Sequence, residues 1–432
     1  MIVKLNARTI LKFILLACVV FFLVQVFLPV KVEISSMIIR ILLTFIFLFC
    51  LYKGLEEPTF LNPYFLFSLT PFSLLLYSSS VSDYYLRPLN FETLSLSTLN
   101  IFAFVFAFNL VNKKKNDIAG SKATQNIKNK SDSDLLHSVI LFIFGILPNL
   151  LNLIDRQLPF AHFFSMCLYI ALPLAYKSNY KKVFWLYCGF YFILQLLTTF
   201  NKTNFLLLVL VLLVTIEPSL SKKNRFKLLL FAFFFALLLI FVAFPLKDYL
   251  SSGNDLTGFL NSNINSLSDY FSPRISWDGN EKLMIPYMYL TTSWNNLQYV
   301  IENNHSFTMG LWFFKPLLSY LQVVDSMEIY NSLVPFTQAF NTFSFVTYHY
   351  IDFGYIGSLI PTLFLGWYVG KAYNNYKFTN NPFNTAIYGL IACAVLEMFF
   401  SNHFFTQSYP FTIFIVCVLY KNIIYTRNIK IK

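Results

Sequence analysis

The chain has 432 residues, 57% of them hydrophobic and 12% charged, with 52 phenylalanines and a formal net charge of +12. A soluble domain carries about twice that charged fraction, which excludes an ordinary soluble enzyme. Several apolar runs reach the ~20 residues that cross a ~30 Å hydrocarbon layer, and they run continuously rather than alternating, which excludes an outer-membrane barrel.

The expected fold is therefore an all-α polytopic membrane protein. Hydropathy predicts about twelve spans. They fall roughly at 11–30, 36–52, 60–79, 93–112, 136–153, 159–176, 182–199, 203–217, 228–246, 348–370, 384–401 and 409–422. The first run, Leu11 to Val30, shows no convincing small-residue cleavage site and reads as a retained span rather than a signal peptide. Cys18, Cys50, Cys167, Cys188, Cys393 and Cys417 all lie in apolar runs, so packing is the expected role, not disulfides or zinc.

With the N-terminus inside, the alternation puts most of the lysines and arginines on the inner side, including Lys113 to Lys115 and Lys222 to Lys227. Both termini are then cytoplasmic. The basic balance is a topology signal and not a nucleic-acid footprint.

Three regions follow. Residues 1–246 form a membrane domain with spans one to nine, interrupted by a flexible cytoplasmic linker at 113–135. Residues 247–347 form one large external loop, and 348–432 return to the membrane as spans ten to twelve. The linker contains Asp132-Ser133-Asp134, a D-x-D of the kind that holds a metal in nucleotide-sugar transferases. A solvated charge run explains it better.

The external loop is too long for a connector, so function is expected there. Met284, Tyr287, Met288, Thr291, Trp294, Leu297 and Ile301 recur at helical spacing, which predicts an amphipathic helix lying on the membrane. Gly310 to Val324 is mostly apolar, interrupted by Lys315-Pro316, and predicts a shallow or re-entrant helix.

The next run begins "TYHYIDFGYIG", Thr347 to Gly357. Its Asp-Phe-Gly is the tripeptide that holds magnesium in protein kinases, but the glycine-rich loop, strand lysine and catalytic loop of a kinase are missing. On a helix entering the bilayer, His349 and Asp352 share one face. Gly354 with Gly357, and Gly366 with Gly370, permit close approach of a neighbour. Asp352 reads either as a site carboxylate or as a cap near the start of its own helix. Glu397, near the outer end of span eleven, reads as a site group or as a partner for a cation.

Four cations are expected on the outer side. Arg87 and Arg156 have Asp83 and Asp155 beside them as alternative partners, and Arg274 has Asp269 and Asp278. Lys202 sits in a tight apolar turn with no local acid. His162, His305 and His403 read as solvated. Cations together with a carboxylate or histidine suit a sugar carried on a polyprenyl diphosphate. Lys202, Arg274, Arg87 and Arg156 are candidates for the diphosphate leaving group. Asp352, His349 and Glu397 are candidates for the base that takes the acceptor proton. Tyr270, Trp277, Tyr287, Tyr289, Trp294 and Tyr350 offer stacking surfaces for sugars. No metal or other cofactor is required, because the donor is already activated.

The run "NTFSFVTYHYIDFGYIGSLIPTLFLGWYVG", Asn341 to Gly370, resembles the late signature of Wzy-type oligosaccharide repeat-unit polymerases of O-antigen and capsule. Asn341, Ser344, Tyr350, Asp352, Phe353, Gly354 and Gly357 stand on that pattern. "PYMYLTTSWNNLQYVIENNHSFTMG" resembles the loop segment before it. "NKTNFLLLVLVLL" resembles a span opened by a basic residue, with Lys202 where arginine is common. "NPYFLFSLTPFSLLLYS" resembles an Asn-Pro start of the third span. His349 is not part of the pattern.

The resemblance implies a fold like the GT-C membrane glycosyltransferases. It also implies transfer of a growing glycan from undecaprenyl diphosphate onto a second lipid-linked repeat unit. The expected setting is the outer face of a bacterial cytoplasmic membrane, with a chain-length regulator and a flippase as partners. An O-antigen ligase and a lipid-linked-oligosaccharide flippase are the alternatives. The ligase carries a functional histidine in its large loop, where the spacing after His305 does not fit. A flippase carries charges along its cavity and short loops throughout. A membrane acyltransferase lacks its cytoplasmic histidine motif here.

Overall fold

The computed structural model describes residues 32–80, 89–112, 131–152, 161–178, 180–197, 202–221, 223–225, 227–228, 281–303, 306–320, 342–379, 381–402, 404 and 416–421. Among them every regular element is helical. The helices are α1 Val32–Glu56, α2 Pro63–Phe67, α3 Leu69–Ser80, α4 Phe91–Val111, α5 Ser131–Asn152, α6 Ala161–Lys177, α7 Lys181–Leu197 and α8 Lys202–Ile216. They continue with α9 Glu281–Asn303, α10 Leu311–Tyr320, α11 Phe345–Gly357, α12 Leu359–Phe378 and α13 Pro382–Leu396.

Three described helices are long and apolar enough to cross a membrane, and a fourth span results if α11 and α12 count as one bent crossing. The expected spans at 11–30 and 228–246 fall almost wholly outside the described residues, and that at 409–422 largely so. The membrane reading also rests on the surface. On α1, Ile34, Met37, Ile41, Phe45, Leu48, Tyr52 and Leu55 form an exposed apolar stripe at helical spacing, which water would penalise and lipid would not.

Sequence chemistry explains where the helices start. Asn62 caps α2 by accepting the Phe65 N–H at 3.0 Å, with Pro63 at the first helical position. Asn90 caps α4 through the Thr93 N–H at 2.8 Å. Glycines then set the helix contacts. A Cβ on Gly145 of α5 would lie 2.5 Å from the Leu168 backbone of α6. One on Gly366 of α12 would lie 2.4 Å from the Phe104 carbonyl of α4, and one on Gly389 of α13 would lie 2.9 Å from Val211 of α8. Missing side chains let backbones approach, as in membrane bundles generally.

Four expectations change. The predicted third span is not continuous: Ser68 separates α2 from α3. Asp132-Ser133-Asp134 lies in the first turn of α5, so the linker ends sooner than expected. Span ten is not straight: α11 and α12 are bent by 119°, and Gly354 (φ 70°, ψ −168°) is the non-helical residue. Finally, α9 does not lie on a surface. Thr291 to Asn296 are all buried, on its polar side as well as its apolar one. It packs among α3, α4 and α11, and its polar groups find partners there. The Trp294 indole N–H donates to Ser73 Oγ at 2.9 Å, and the Asn296 amide donates to the Thr342 carbonyl at 2.7 Å.

Candidate functional site

The bend at Gly354 organises one end of the bundle. A Cβ on Gly354 would stand 3.0 Å from the Phe307 ring, and its positive φ strains any L side chain, so glycine is required on both counts. Upstream of the bend, Asp352 is 1% exposed. Its Oδ1 accepts the Trp312 N–H at 3.0 Å and the Thr308 hydroxyl, and its Oδ2 accepts the Phe313 N–H at 2.7 Å.

These backbone donors open α10, whose preceding residue, Gly310 (φ 92°), has no side chain to cap them. Asp352 therefore acts as an N-cap supplied by another helix, and its negative charge faces the positive end of the α10 dipole. Thr308 adds a backbone tie, its N–H donating to the Ile351 carbonyl at 2.9 Å. The intervening Met309 sits at φ 50°, uncommon for a residue with a side chain. Asp352 thus caps α10 rather than the start of its own helix.

His349 points elsewhere. It is 2% exposed, with both ring nitrogens engaged. The Asn402 side-chain oxygen accepts the Phe404 N–H at 3.2 Å, which turns its amide N–H toward His349 Nε2 at 3.3 Å. Nε2 is then the acceptor, and Nδ1 carries the proton, donated to Thr362 Oγ1 at 2.7 Å. Thr362 passes its proton to Asn100 Oδ1 at 2.6 Å, and the Asn100 amide donates to Ser358 Oγ at 3.0 Å. This ordered chain ties α11, α12, α4 and the segment after α13 inside the apolar bundle. A histidine so engaged and so buried is not the base expected at an open site.

Glu397 is half-buried at the C-cap of α13, its backbone N–H on the Cys393 carbonyl at 3.1 Å. The next residue's carbonyl accepts the Phe345 N–H at 3.0 Å, placing Glu397 near the start of α11. Trp294 is fully buried, and Tyr350 is 6% exposed with its ring 5.9 Å from that of Phe307. In this conformation neither presents a face to a sugar, because both are core side chains. Tyr287 is half-buried on α9. Lys202 begins α8, but its side chain lies outside the described set, as do Arg87, Arg156, Arg274 and Trp277 in full.

Several residues of this region were not among the sequence candidates. Lys315 on α10 is 6% exposed, its Nζ 4.6 Å from the Trp312 ring centroid, and burial pushes its ammonium down to about 8. Glu92 is exposed in the first turn of α4, one turn before Ser95, whose hydroxyl hydrogen-bonds the Tyr355 hydroxyl of α11. The Asn90 N–H donates to Gln298 Oε1 at 2.9 Å, and Gln298 Nε2 to Glu302 at 3.0 Å. Lys315-Pro316 was visible as a break in an apolar run; nothing local signalled the others. No group of three metal-binding side chains occurs among the described residues, and Asp352, saturated by N–H and O–H donors, is not arranged as a metal ligand. Comparison with protein-family models, curated proteins and solved structures finds no match to this chain.

Proposed function

We propose that the chain is a membrane glycosyltransferase of the repeat-unit polymerase kind, acting on glycans carried by undecaprenyl diphosphate. The observation that carries this reading is the Asp352-Phe353-Gly354 bend. The residues that bear the resemblance hold the loop helix α10 at one end of a helical bundle, where a loop-built site is expected.

In the proposed reaction, a terminal hydroxyl of one lipid-linked repeat unit attacks the anomeric carbon of the glycan on a second lipid. The new C–O bond forms as the bond to the diphosphate breaks. Undecaprenyl diphosphate leaves with the electron pair, and the hydroxyl proton passes to a carboxylate base. Lys202, Arg274, Arg87 and Arg156 are the proposed cations for the leaving group. Asp352 is a positioning residue, because both its oxygens are already hydrogen-bonded. The base role falls to Glu397 or Glu92.

The test mixes purified protein with lipid-linked repeat units, without metal, and resolves the products by size. A ladder lost in Lys202→Ala and Arg274→Ala supports the polymerase. One observation favours a transporter as second reading: the polar chain from Asn402 through His349, Thr362 and Asn100 lies inside an apolar bundle. Movement of the same lipid across a liposome bilayer, with no ladder from folded protein, overturns the polymerase reading in favour of the flippase.

A further inference from the structure

The turn that Asp352 holds in place carries an apolar surface that no described element covers. Phe307 is 44% exposed, Met309 80%, Leu311 38% and Phe314 50%. These side chains form one patch with α11. A Cβ on Gly310 would stand 3.4 Å from both the Phe314 and Phe353 rings, and Phe307 rests against Gly354. Phe353 is itself partly exposed, and Ile356 strongly so. From Ile356 the surface runs on without a polar break through Ile360, Leu363, Phe364 and Trp367 of α12, all exposed.

We infer that the tip at 307–314 is a membrane-inserted wedge, occupied on its open side by hydrocarbon chains of the surrounding bilayer. Continuity names the occupant. The patch extends the exposed apolar face of α12, which belongs to a helix pair apolar enough to span a membrane. Residues beyond the patch are polar, as an interfacial element requires: Glu302, Asn303 and Ser306 are exposed just before it.

Met309, at φ 50°, stands 80% exposed at the apex of the turn, and Asp352 stabilises that turn through Thr308, Trp312 and Phe313. The wedge and the bend are thus one unit. The inference uses only the membrane character of the bundle and stands or falls separately from the polymerase reading.

The experiment attaches an environment-sensitive fluorophore to Met309→Cys, and separately to Phe314→Cys, in full-length protein reconstituted at low density in phosphatidylcholine vesicles. Asn303→Cys serves as the aqueous reference. The five described native cysteines are buried, so the introduced thiols are the accessible ones among the described residues. Loss of emission with lipids carrying a nitroxide high on the acyl chain, and none with aqueous iodide, is expected at 309 and 314. The reverse is expected at 303. Quenching by iodide at 309 and 314 overturns the proposal. So does a label shielded from both quenchers, which would mean protein covers the patch. Two positions, each on protein that elutes like the unmodified chain, guard against one variant distorting the turn.

Discussion

Asp352 shows how a single carboxylate serves an element remote from its own. It neutralises donors of α10 that Gly310 cannot cap, and it does so from within α11. Asp352→Ala leaves two buried N–H groups without their acceptor and should cost about 2–4 kcal/mol, the sum of a lost cap and an unsatisfied buried donor. Asp352→Asn keeps one acceptor oxygen and should lose roughly half as much. Thermal unfolding in detergent reads the ordering. If Asp352 were the proton acceptor instead, Asn would abolish ladder formation at nearly full stability. Lys315 gives a pH prediction. Its folded value of about 8 lies below the usual lysine value, so between the two the unfolded chain binds more protons and stability rises with pH. Lys315→Met should flatten that rise, measured as melting temperature across the alkaline range. Neither assignment could be read locally, since Asp-Phe-Gly and Lys-Pro look the same whichever helix they face.

At the scale of elements, glycine position separates close approach from open space. A Cβ on Gly366 would collide with the Phe104 carbonyl, whereas one on Gly189 of α7 meets nothing within 4 Å. Gly366→Ala should therefore destabilise by about 1–3 kcal/mol through overpacking. Gly189→Ala should be neutral or stabilising by up to about 1 kcal/mol, because alanine is the better helix former. A matched fall in melting temperature for both variants would contradict the α4–α12 contact. The close-approach role of Gly366 and Gly370 was legible from their spacing. Gly354 was expected to admit a neighbour, and the Phe307 ring does approach it, but the 119° bend at the same residue was not legible. Spacing reports which residues share a helical face only while the helix continues, and a positive φ leaves no periodic trace.

Among the described residues, polar groups collect at two ends with an aromatic core between them. At one end Glu57 gathers Lys377 at 2.7 Å, Asn112 at 2.8 Å and the Tyr373 hydroxyl at 3.0 Å. Glu217 receives the Phe60 N–H at the same end, and Arg225 donates to the Pro58 carbonyl. At the other end lie Asn90, Gln298, Glu302, Thr308 and Asp352. The alternating topology expects each of these clusters on one side of the membrane. The corresponding prediction concerns sidedness. With an impermeant thiol reagent, a cysteine introduced at Asn303 should react in intact cells and one at Ser221, also exposed, only after permeabilisation. Labelling of both from the same face would break the alternation.

The sequence by itself determined the helical membrane character, most helix positions and the segregation of polar ends. These follow from local quantities: apolar length, caps such as Asn62-Pro63, and charge between runs. The tertiary structure alone decided that α9 is buried and not surface-bound, that Asp352 caps α10, and that His349 is locked between Asn402 and Thr362. Each of those depends on partners far away in the chain, as with Thr362 and Asn100, 262 residues apart. Burial of a polar side chain is tolerated only where such a partner arrives, and which partner arrives is a property of the packed bundle, not of any stretch of its sequence.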